Sequence, residues 1–143
     1  MHIDHFIPNL RKRAEKNGLD IITENPAIDT AIAAYEERNE ILIPEQVRWF
    51  YQKCNGLRVE SPPLYVKPIE KLHADETGKT IFSIFDGQHR ICFDTSKIYD
   101  AAQWDILNYD TGFLVTLTMA SFWTNKVFAW LDRQRTIWKE ETY

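Results

Sequence analysis

Two short stretches of this 143-residue sequence carry side chains of the types that bind divalent metals. Imidazole nitrogens and carboxylate oxygens are common ligands, and they occur in His2-Ile3-Asp4-His5 and in His73-Ala74-Asp75-Glu76. The first stretch is at the start of the sequence, where fraying opposes a preorganised site. Neither stretch brings further ligands at a regular spacing. We therefore interpret both as solvated polar segments, and we expect no metal and no cofactor.

His89 is the residue best placed for acid–base chemistry. It lies near Asp86 and Asp94, and a histidine oriented by a carboxylate can act as a general base. However, Asp86 flanks the same tight turn, Asp94 projects at the far end of a strand, and Cys92 alternates to the other sheet face. We therefore favour a histidine at the rim of a hairpin. A small hydrolase that uses His89 stays an alternative.

The sequence lacks the motifs of the common nucleotide-binding and hydrolytic sites: it has no P-loop, no GxGxxG, no HExxH and no GxSxG. Its formal net charge of −4 also opposes binding to a phosphate backbone. We interpret the basic run at residues 11–13 as the solvated face of a helix. We therefore expect neither an enzyme nor a nucleic-acid-binding protein.

Residues 104–110, WDILNYD, mix aromatic side chains with carboxylates and an amide. Tyrosine and tryptophan offer large rigid contact areas, and aspartate can pair with basic groups of a partner. This composition is typical of a protein-binding surface. The alternative, which the pattern alone favours, is a strand with alternating burial, in which Trp104 and Ile106 point inwards.

Two helices are expected in the first forty residues to support these groups. The first covers residues 3–17 and stops at Gly18. The second begins at Asn25-Pro26, a capping residue followed by proline at the first helical position, and reaches about Asn39. The apolar residues at helical spacing are Phe6, Leu10 and Ala14 in the first helix, and Ile28, Ala31, Ile32 and Tyr35 in the second.

A third helix is expected within residues 42–57, LIPEQVRWFYQKCNGL. Pro44 suits its first turn, and Asn55-Gly56 supplies a left-handed stop. At about 100° per residue, Trp49 falls on the polar side, so we expect a neighbouring segment such as the first helix to cover it. The apolar face consists of Val47, Phe50, Tyr51 and Cys54.

Strands are expected after residue 57. Residues 64–68 are one, and residues 80–86 and 87–94 form a hairpin with a two-residue turn at Asp86-Gly87. That turn pairs Phe85 with Gln88 and Ile84 with His89. Strand alternation then places Phe82, Ile84, Ile91 and Phe93 on one face.

The order of elements predicts an α+β fold in one domain covering residues 1–143. Two more strands are expected near residues 104–109 and 112–117, and Thr118 or Ser121 would cap a long final helix reaching about Lys139. We therefore expect a mostly antiparallel sheet of about four to six strands, flanked by N-terminal helices and a long C-terminal helix. Cys54 and Cys92 suit buried thiols in the cytoplasm, and no apolar run is long enough to span a membrane.

Several motifs in one order resemble the SUKH superfamily, over roughly residues 27–131. The resemblance rests on a helix that opens with Ile43-Pro44 and closes with Asn55-Gly56, a step at Pro68-Ile69 and Leu72, the strand end Phe93-Asp94, and Ser121-Phe122 at the C-terminal helix. Residues 1–25, which we interpret as a helical extension, have no clear counterpart. The superfamily includes bacterial toxin-immunity proteins and a fungal regulator of cell-wall synthesis.

The resemblance implies a non-enzymatic domain that binds a protein partner, without catalytic residues. We expect an immunity protein that neutralises a toxin by direct contact, such as a basic nuclease; a regulatory adaptor of cell-wall or glucan synthesis is the alternative. The candidate contact residues around the sheet are Glu60, Asp86, Gln88, Trp104, Asp105, Tyr109 and Asp110.

Overall fold

A computed structural model describes residues 6–60, 63–96, 103–133 and 136–140 of the chain. The helices are α1 (Phe6–Lys16), α2 (Asp29–Asn39), α3 (Glu45–Lys53), α4 (Met119–Ser121) and α5 (Phe128–Arg133). The strands are β1 (Ile21–Thr23), β2 (Leu57–Val59), β3 (Leu64–Val66), β4 (Lys79–Phe85), β5 (His89–Asp94), β6 (Asp105–Asn108) and β7 (Leu114–Thr116). The expected α+β class is confirmed. None of the helices in these ranges is long and apolar enough to cross a membrane.

The first helix ends where the sequence predicts. Gly18 has a φ of +67°, and the Leu19 amide donates a 2.8 Å hydrogen bond to the Ala14 carbonyl. This return bond closes a helix over a left-handed residue, a conformation in which glycine carries no steric penalty. Leu10 and Ala14 are buried as expected. Residues 3–5 of the predicted helix, and the His2-Asp4-His5 group, lie outside the described residues.

The second helix begins at Asp29, three residues after the predicted start at Pro26. Residues 24–27 pair with the end of α3 instead. The Asn55 amide donates to the Asn25 carbonyl at 2.9 Å, and the Ala27 amide donates to the Tyr51 carbonyl at 2.9 Å. These tertiary hydrogen bonds hold the Asn-Pro segment outside the helix, so its local capping signal is overridden.

The predicted apolar face of α3 is confirmed, because Val47, Phe50, Tyr51 and Cys54 are all buried. Trp49 on the opposite side is 38% exposed. The expected cover over Trp49 is therefore incomplete.

The sheet has seven strands in the order β1 to β7, and every strand pairs antiparallel with the next one in the chain. The sheet therefore has more strands than the four to six that we expected. The two missed strands, β1 and β2, are three residues long each. Three residues are too few to show a convincing alternation of apolar and polar positions.

The β4–β5 hairpin forms, but its predicted register is wrong near the turn. The Gln88 amide donates to the Phe85 carbonyl at 3.1 Å across Asp86 and Gly87, yet the ladder pairs Phe85 with His89 and Ile84 with Arg90. A bulge at Phe82 then restores the expected register, so that Ile81 pairs with Cys92. One extra residue reverses the facing of all later side chains. Phe82 and Phe85 therefore both enter the core, whereas Ile84 does not.

The helices pack on the face that carries these phenylalanines. Phe82 stacks on Phe93 with ring centroids 3.9 Å apart, and Phe85 contacts the edge of Trp130 at 5.1 Å. Phe50 of α3 stacks on Trp123 at 5.4 Å. One aromatic layer thus joins the sheet to α3 and to the C-terminal helix.

The C-terminal helix is shorter than expected. Thr118 caps it, since its Oγ1 accepts the Ser121 amide at 3.1 Å. A π-helical segment at residues 122–127 leads into α5, which ends at Arg133. Residues 136–140 are not helical. Trp138 is nevertheless buried, and its carbonyl accepts a 2.7 Å hydrogen bond from the Asn108 Nδ2.

Candidate functional site

The face of the sheet opposite the helices carries one continuous row of side chains, which we call the outer row. Successive cross-strand pairs define it from β1 to the end of β6. The Tyr109 amide, which donates to the Arg90 carbonyl at 2.9 Å, extends the ladder to its last member. Cross-strand neighbours lie about 5 Å apart, so their side chains touch. The outer row consists of Ile22, Arg58, Tyr65, Ile84, Arg90 and Tyr109.

The outer row is accessible along its length. Ile22 is 50% exposed, Arg58 and Arg90 are exposed, and Tyr65, Ile84 and Tyr109 are half-buried. The neighbouring positions on the helical face, such as Leu57, Val66 and Ile91, are fully buried. The row is therefore a part of the sheet that a partner molecule can reach.

Both arginines of the row lie over tyrosine rings. The guanidinium carbon of Arg58 is 5.3 Å from the ring centroid of Tyr65, and that of Arg90 is 4.8 Å from the ring centroid of Tyr109. These distances are those of cation–π contacts. In each pair, the tyrosine ring restricts the positions that the long arginine side chain can adopt.

The Arg58–Tyr65 pair separates two clefts. The larger, of about 510 Å³, extends towards Glu24, Ile28 and Lys71. The smaller, of about 250 Å³, extends towards Glu60, Ile84 and Gly87. The larger cleft falls within the size range of pockets that hold small ligands or short segments.

Asn55 lines the larger cleft, and Gly56 lies next to it behind the cleft residue Val66. Asn55 Oδ1 accepts the Ile69 amide at 2.8 Å, and its Nδ2 donates to the two carboxylate oxygens of Glu70 at 3.0 and 2.8 Å. Gly56 has a φ of +96°, and a β-carbon there would meet the Val66 carbonyl oxygen at 2.6 Å. The Asn-Gly stop of α3 and the Pro68–Leu72 step are thus parts of one structural unit.

The Arg90–Tyr109 pair is tied into a hydrogen-bond network. Arg90 donates to both carboxylate oxygens of Asp110, with Nε 3.2 Å from Oδ2. The Tyr109 hydroxyl donates to Asp75 Oδ2 at 2.7 Å. Asp75 Oδ1 also accepts the amides of Thr77 and Lys79. The network fastens the loop before β4 onto the outer face of β5 and β6.

The pKa values of these groups follow from their hydrogen bonds. The Tyr109 hydroxyl, followed by the bonds from Thr77 and Lys79, holds the pKa of Asp75 well below its usual range. The same bond raises the pKa of Tyr109. Likewise, the hydrogen bonds between Arg90 and Asp110 raise the pKa of the arginine and lower that of the carboxyl. Asp75, Asp110 and Arg90 are therefore charged at neutral pH, and Tyr109 keeps its hydroxyl proton and donates it.

The predicted contact residues divide into three groups. Glu60 lines the smaller cleft beside Gly87, the residue between Asp86 and Gln88 in the hairpin turn. Tyr109 and Asp110 surround Arg90, one strand further along the row. Trp104 and Asp105 lie elsewhere.

Trp104 is 2% exposed and packs against Phe93 with ring centroids 5.2 Å apart. A partner cannot reach its ring, and the inward orientation of Trp104 and Ile106 is confirmed. Asp105 is half-buried opposite Asp94 in the β5–β6 ladder. It lies at the other end of these strands from Arg90 and Tyr109, and therefore outside the outer row.

His89 has a packing role. Its ring stacks on Trp138 with centroids 4.1 Å apart and an interplanar angle of 11°. Within the described part of the chain no hydrogen bond joins it to Asp86, to Asp94 or to a serine or cysteine; Asp94 instead accepts the Ser96 amide at 3.1 Å. The geometry needed for the hydrolase alternative is not formed there.

The thiols and the remaining candidate metal ligands have structural surroundings. Burial raises the pKa of Cys54 and of Cys92 to about 12, which keeps both thiols protonated. Asp75 of the second candidate metal group is occupied by the loop and by Tyr109. Over residues 6–60, 63–96, 103–133 and 136–140, no three histidine, cysteine or carboxylate side chains form a group able to hold a metal ion.

The sequence analysis missed five members of the outer row: Ile22, Arg58, Tyr65, Ile84 and Arg90. A signal for Arg58 and Tyr65 exists, because Leu57-Arg58-Val59 and Leu64-Tyr65-Val66 each place one polar or amphipathic residue between two apolar ones. Such a triplet predicts that its central side chain faces solvent if the segment is a strand. However, Arg58 and Tyr65 become neighbours only because β2 pairs with β3, and neither triplet predicts which strand it will pair with.

No protein-family model and no curated protein matches this chain.

Proposed function

We propose that this chain is a non-enzymatic protein-binding domain of the SUKH type, and that it binds its partner through the outer row. The observation that carries the proposal is the row of exposed or half-buried isoleucine, arginine and tyrosine side chains on the face of the seven-stranded sheet opposite the helices. Tyrosine and arginine are enriched where binding energy concentrates in protein interfaces.

The rigidity of this surface supports its use in binding. Its side chains stand on a hydrogen-bonded sheet, and both arginines rest on tyrosine rings. A side chain that is already ordered loses little conformational entropy when a partner binds. A flat or shallow face of this kind suits another protein better than a small molecule.

The partner in this proposal is a toxin that the domain neutralises by covering its active site. Support comes from the SUKH-like order of motifs and from the formal charge of −4. Net negative charge speeds the encounter with a basic active-site cleft. Glu60 and Asp86, next to the smaller cleft, are the carboxylates available for basic groups of the toxin.

A growth-rescue experiment tests this function. The chain is co-expressed with the product of the adjacent gene, and growth and the affinity of the purified pair are measured. Ile22→Asp places a charge in the outer row, whereas Leu42→Asp makes the same change at a 75% exposed position outside the sheet. We expect the wild type and Leu42→Asp to restore growth, and Ile22→Asp to lose rescue and at least about tenfold in affinity.

Two outcomes would overturn the proposal. In one, the adjacent product is not toxic, or the chain does not relieve its toxicity. In the other, Ile22→Asp rescues as well as Leu42→Asp while its thermal unfolding matches the wild type, which would place binding away from the outer row.

A further inference from the structure

The guanidinium of Arg58 is held in place but not neutralised. It lies over Tyr65, and within the described part of the chain its side chain has no hydrogen bond and no ion pair. Arg90 differs, because Asp110 accepts from it at two atoms. An arginine that is ordered on an aromatic ring, with all five donors directed at solvent or a cleft, is prepared to receive a carboxylate in a bidentate manner.

The larger cleft beside Arg58 has the charges of a dipolar binding site. Arg58 and Lys71 supply two cations, and the Lys71 side chain also lacks a hydrogen-bond partner among the described residues. Of the two carboxylates, Glu70 is held by Asn55, and Glu24 is exposed. Pro26, Ile28 and Pro68 give the cleft an apolar part.

We propose that this cleft receives an acidic side chain, aspartate or glutamate next to an apolar residue, from the protein partner, and that Arg58 anchors its carboxylate. The inference rests on the proposed function and deepens it: the toxin meets the domain with a carboxylate at this point of the outer row. Glu24 accepts main-chain or basic donors of the same partner segment. An acidic side chain has main chain on both sides for such contacts, whereas a C-terminal carboxylate does not.

The same lining disfavours nucleic acid as the occupant. A phosphate backbone carries one negative charge per nucleotide and is bound by clustered cations. Here Glu24 and Glu70 lie within the cleft together with the two cations, so a second or third phosphate would meet like charge. A single carboxylate fits the arrangement better.

A titration followed by nuclear magnetic resonance tests the assignment directly. The probe is N-acetyl-leucyl-glutamyl amide, and the readouts are the Arg58 Nε–H and Asn55 Nδ2 signals of the full chain. We expect saturable shifts at millimolar concentration, and binding about tenfold weaker for the glutaminyl analogue and for Arg58→Gln. Arg58→Lys should retain part of the affinity, because lysine keeps the positive charge but lacks the planar guanidinium group that can donate two parallel hydrogen bonds to a carboxylate.

Controls separate the cleft from general charge effects. Arg133→Gln removes the same charge from an exposed position on α5, and it should bind the probe as the wild type does. N-acetyl-leucyl-glutamine with a free C-terminus tests the other source of a carboxylate. A dodecathymidylate tests nucleic acid.

Four results would overturn the inference: equal binding of the glutamyl and glutaminyl probes, no saturable shift at Arg58, tighter binding of the free C-terminus, or stronger Arg58-dependent binding of the oligonucleotide. Its failure is distinguishable from failure of the proposed function. If Ile22→Asp abolishes toxin binding and Arg58→Gln does not change it, the outer row remains the interface and only the carboxylate anchor is lost.

Discussion

Two arginine–tyrosine pairs lie three positions apart in the same cross-strand row, and their surroundings differ. Arg90 and Tyr109 are bonded to Asp110 and Asp75, so the charge and the hydroxyl are satisfied within the chain. Arg58 and Tyr65 make a similar ring contact, and no carboxylate among the described residues is hydrogen-bonded to either. The first pair fastens a loop to the sheet, and we propose that the second pair bonds to a partner.

The difference shows that residue type and ring contact do not by themselves determine whether an arginine is hydrogen-bonded within the chain. Both arginines are exposed members of strands, and both lie over tyrosine rings. Only the presence of a carboxylate within hydrogen-bond distance separates them. Variants at matched positions in the two regions can break or sharpen this distinction.

The largest effect is expected from alanine at Gly56, which precedes the strand of Arg58, compared with alanine at Gly87, which precedes the strand of Arg90. In Gly56→Ala the β-carbon would lie 2.6 Å from the Val66 carbonyl oxygen at a φ of +96°, whereas Gly87→Ala meets nothing within 4 Å at a φ of +71°. We expect a loss of about 3 kcal/mol in unfolding free energy for Gly56→Ala and about 1 kcal/mol for Gly87→Ala, measured by urea denaturation. Equal losses would contradict the close packing at the Arg58 cleft.

Removing each tyrosine hydroxyl should separate the two pairs by stability. Tyr109→Phe deletes the hydrogen bond to Asp75 and leaves that carboxylate short of a partner, so the midpoint of thermal unfolding should fall. Tyr65→Phe is the control, because its hydroxyl has no hydrogen bond with another described residue, and its midpoint should match the wild type. A fall of the same size in both variants would mean that the hydroxyl of Tyr65 also has a structural role.

The stability supplied by the Asp75 network should depend on pH. The folded-state pKa of Asp75 lies below its ordinary value, which is about 3.9 in an unfolded chain. The stabilisation is therefore complete above the unfolded pKa and is lost as the pH falls through the folded pKa. We expect Asp75→Asn to be less stable than the wild type at pH 7, with the gap narrowing below about pH 4.

The measurement is a series of thermal unfolding curves between pH 7 and pH 3. Glu76→Gln, at an exposed neighbour, is the matched control and should track the wild type throughout. A gap between Asp75→Asn and the wild type that does not change with pH would contradict the ionised network.

The smallest effect on stability is expected from Arg58 itself. Arg58→Gln removes no hydrogen bond within the described residues, so the unfolding free energy should change by less than about 0.5 kcal/mol. Arg90→Gln removes the donors to Asp110 and should lower the unfolding midpoint by more than Arg58→Gln does. Urea denaturation of both variants checks the order; the reverse order would make Arg58 the structural arginine.

Much of the fold followed from local patterns. The period of the helix placed Val47, Phe50, Tyr51 and Cys54 in the core, because one helix face meets the same neighbours at every turn. Asp86-Gly87 predicted a hairpin, since both residues adopt positive φ angles there. Alternation likewise placed Trp104 and Ile106 inside.

The errors arose where tertiary contacts override such patterns. Hydrogen bonds to α3 hold Asn25-Pro26 outside the second helix, although its sequence predicts a helix start there. In the β4–β5 hairpin, the register near the turn and the bulge at Phe82 place Phe85 in the core, where the sequence predicts Ile84. A bulge costs little locally and is selected by how both faces of the strand pack.

The candidate site was predicted only in part. Glu60, Tyr109 and Asp110 do lie at or beside the outer row, because polar residues in turns and at strand ends tend to be exposed. Trp104 is predicted as a contact residue because of its aromatic ring, but it is part of the core. Arg58 lies in a strand too short to recognise, and the strand predicted at residues 64–68 did not show which strand would pair beside Tyr65.

The sequence by itself determined the α+β class, the apolar helix faces and the sharp turns, since these depend on interactions within a few residues of the chain. Only the tertiary structure decided the outer row. Its six members come from residues 22 to 109, and they align because the register of each strand pair is set by packing against the helices. The same long-range pairing placed Asp110 within hydrogen-bond distance of Arg90, whereas no carboxylate of the described residues bonds to Arg58, and this is why we assign the two arginines different roles.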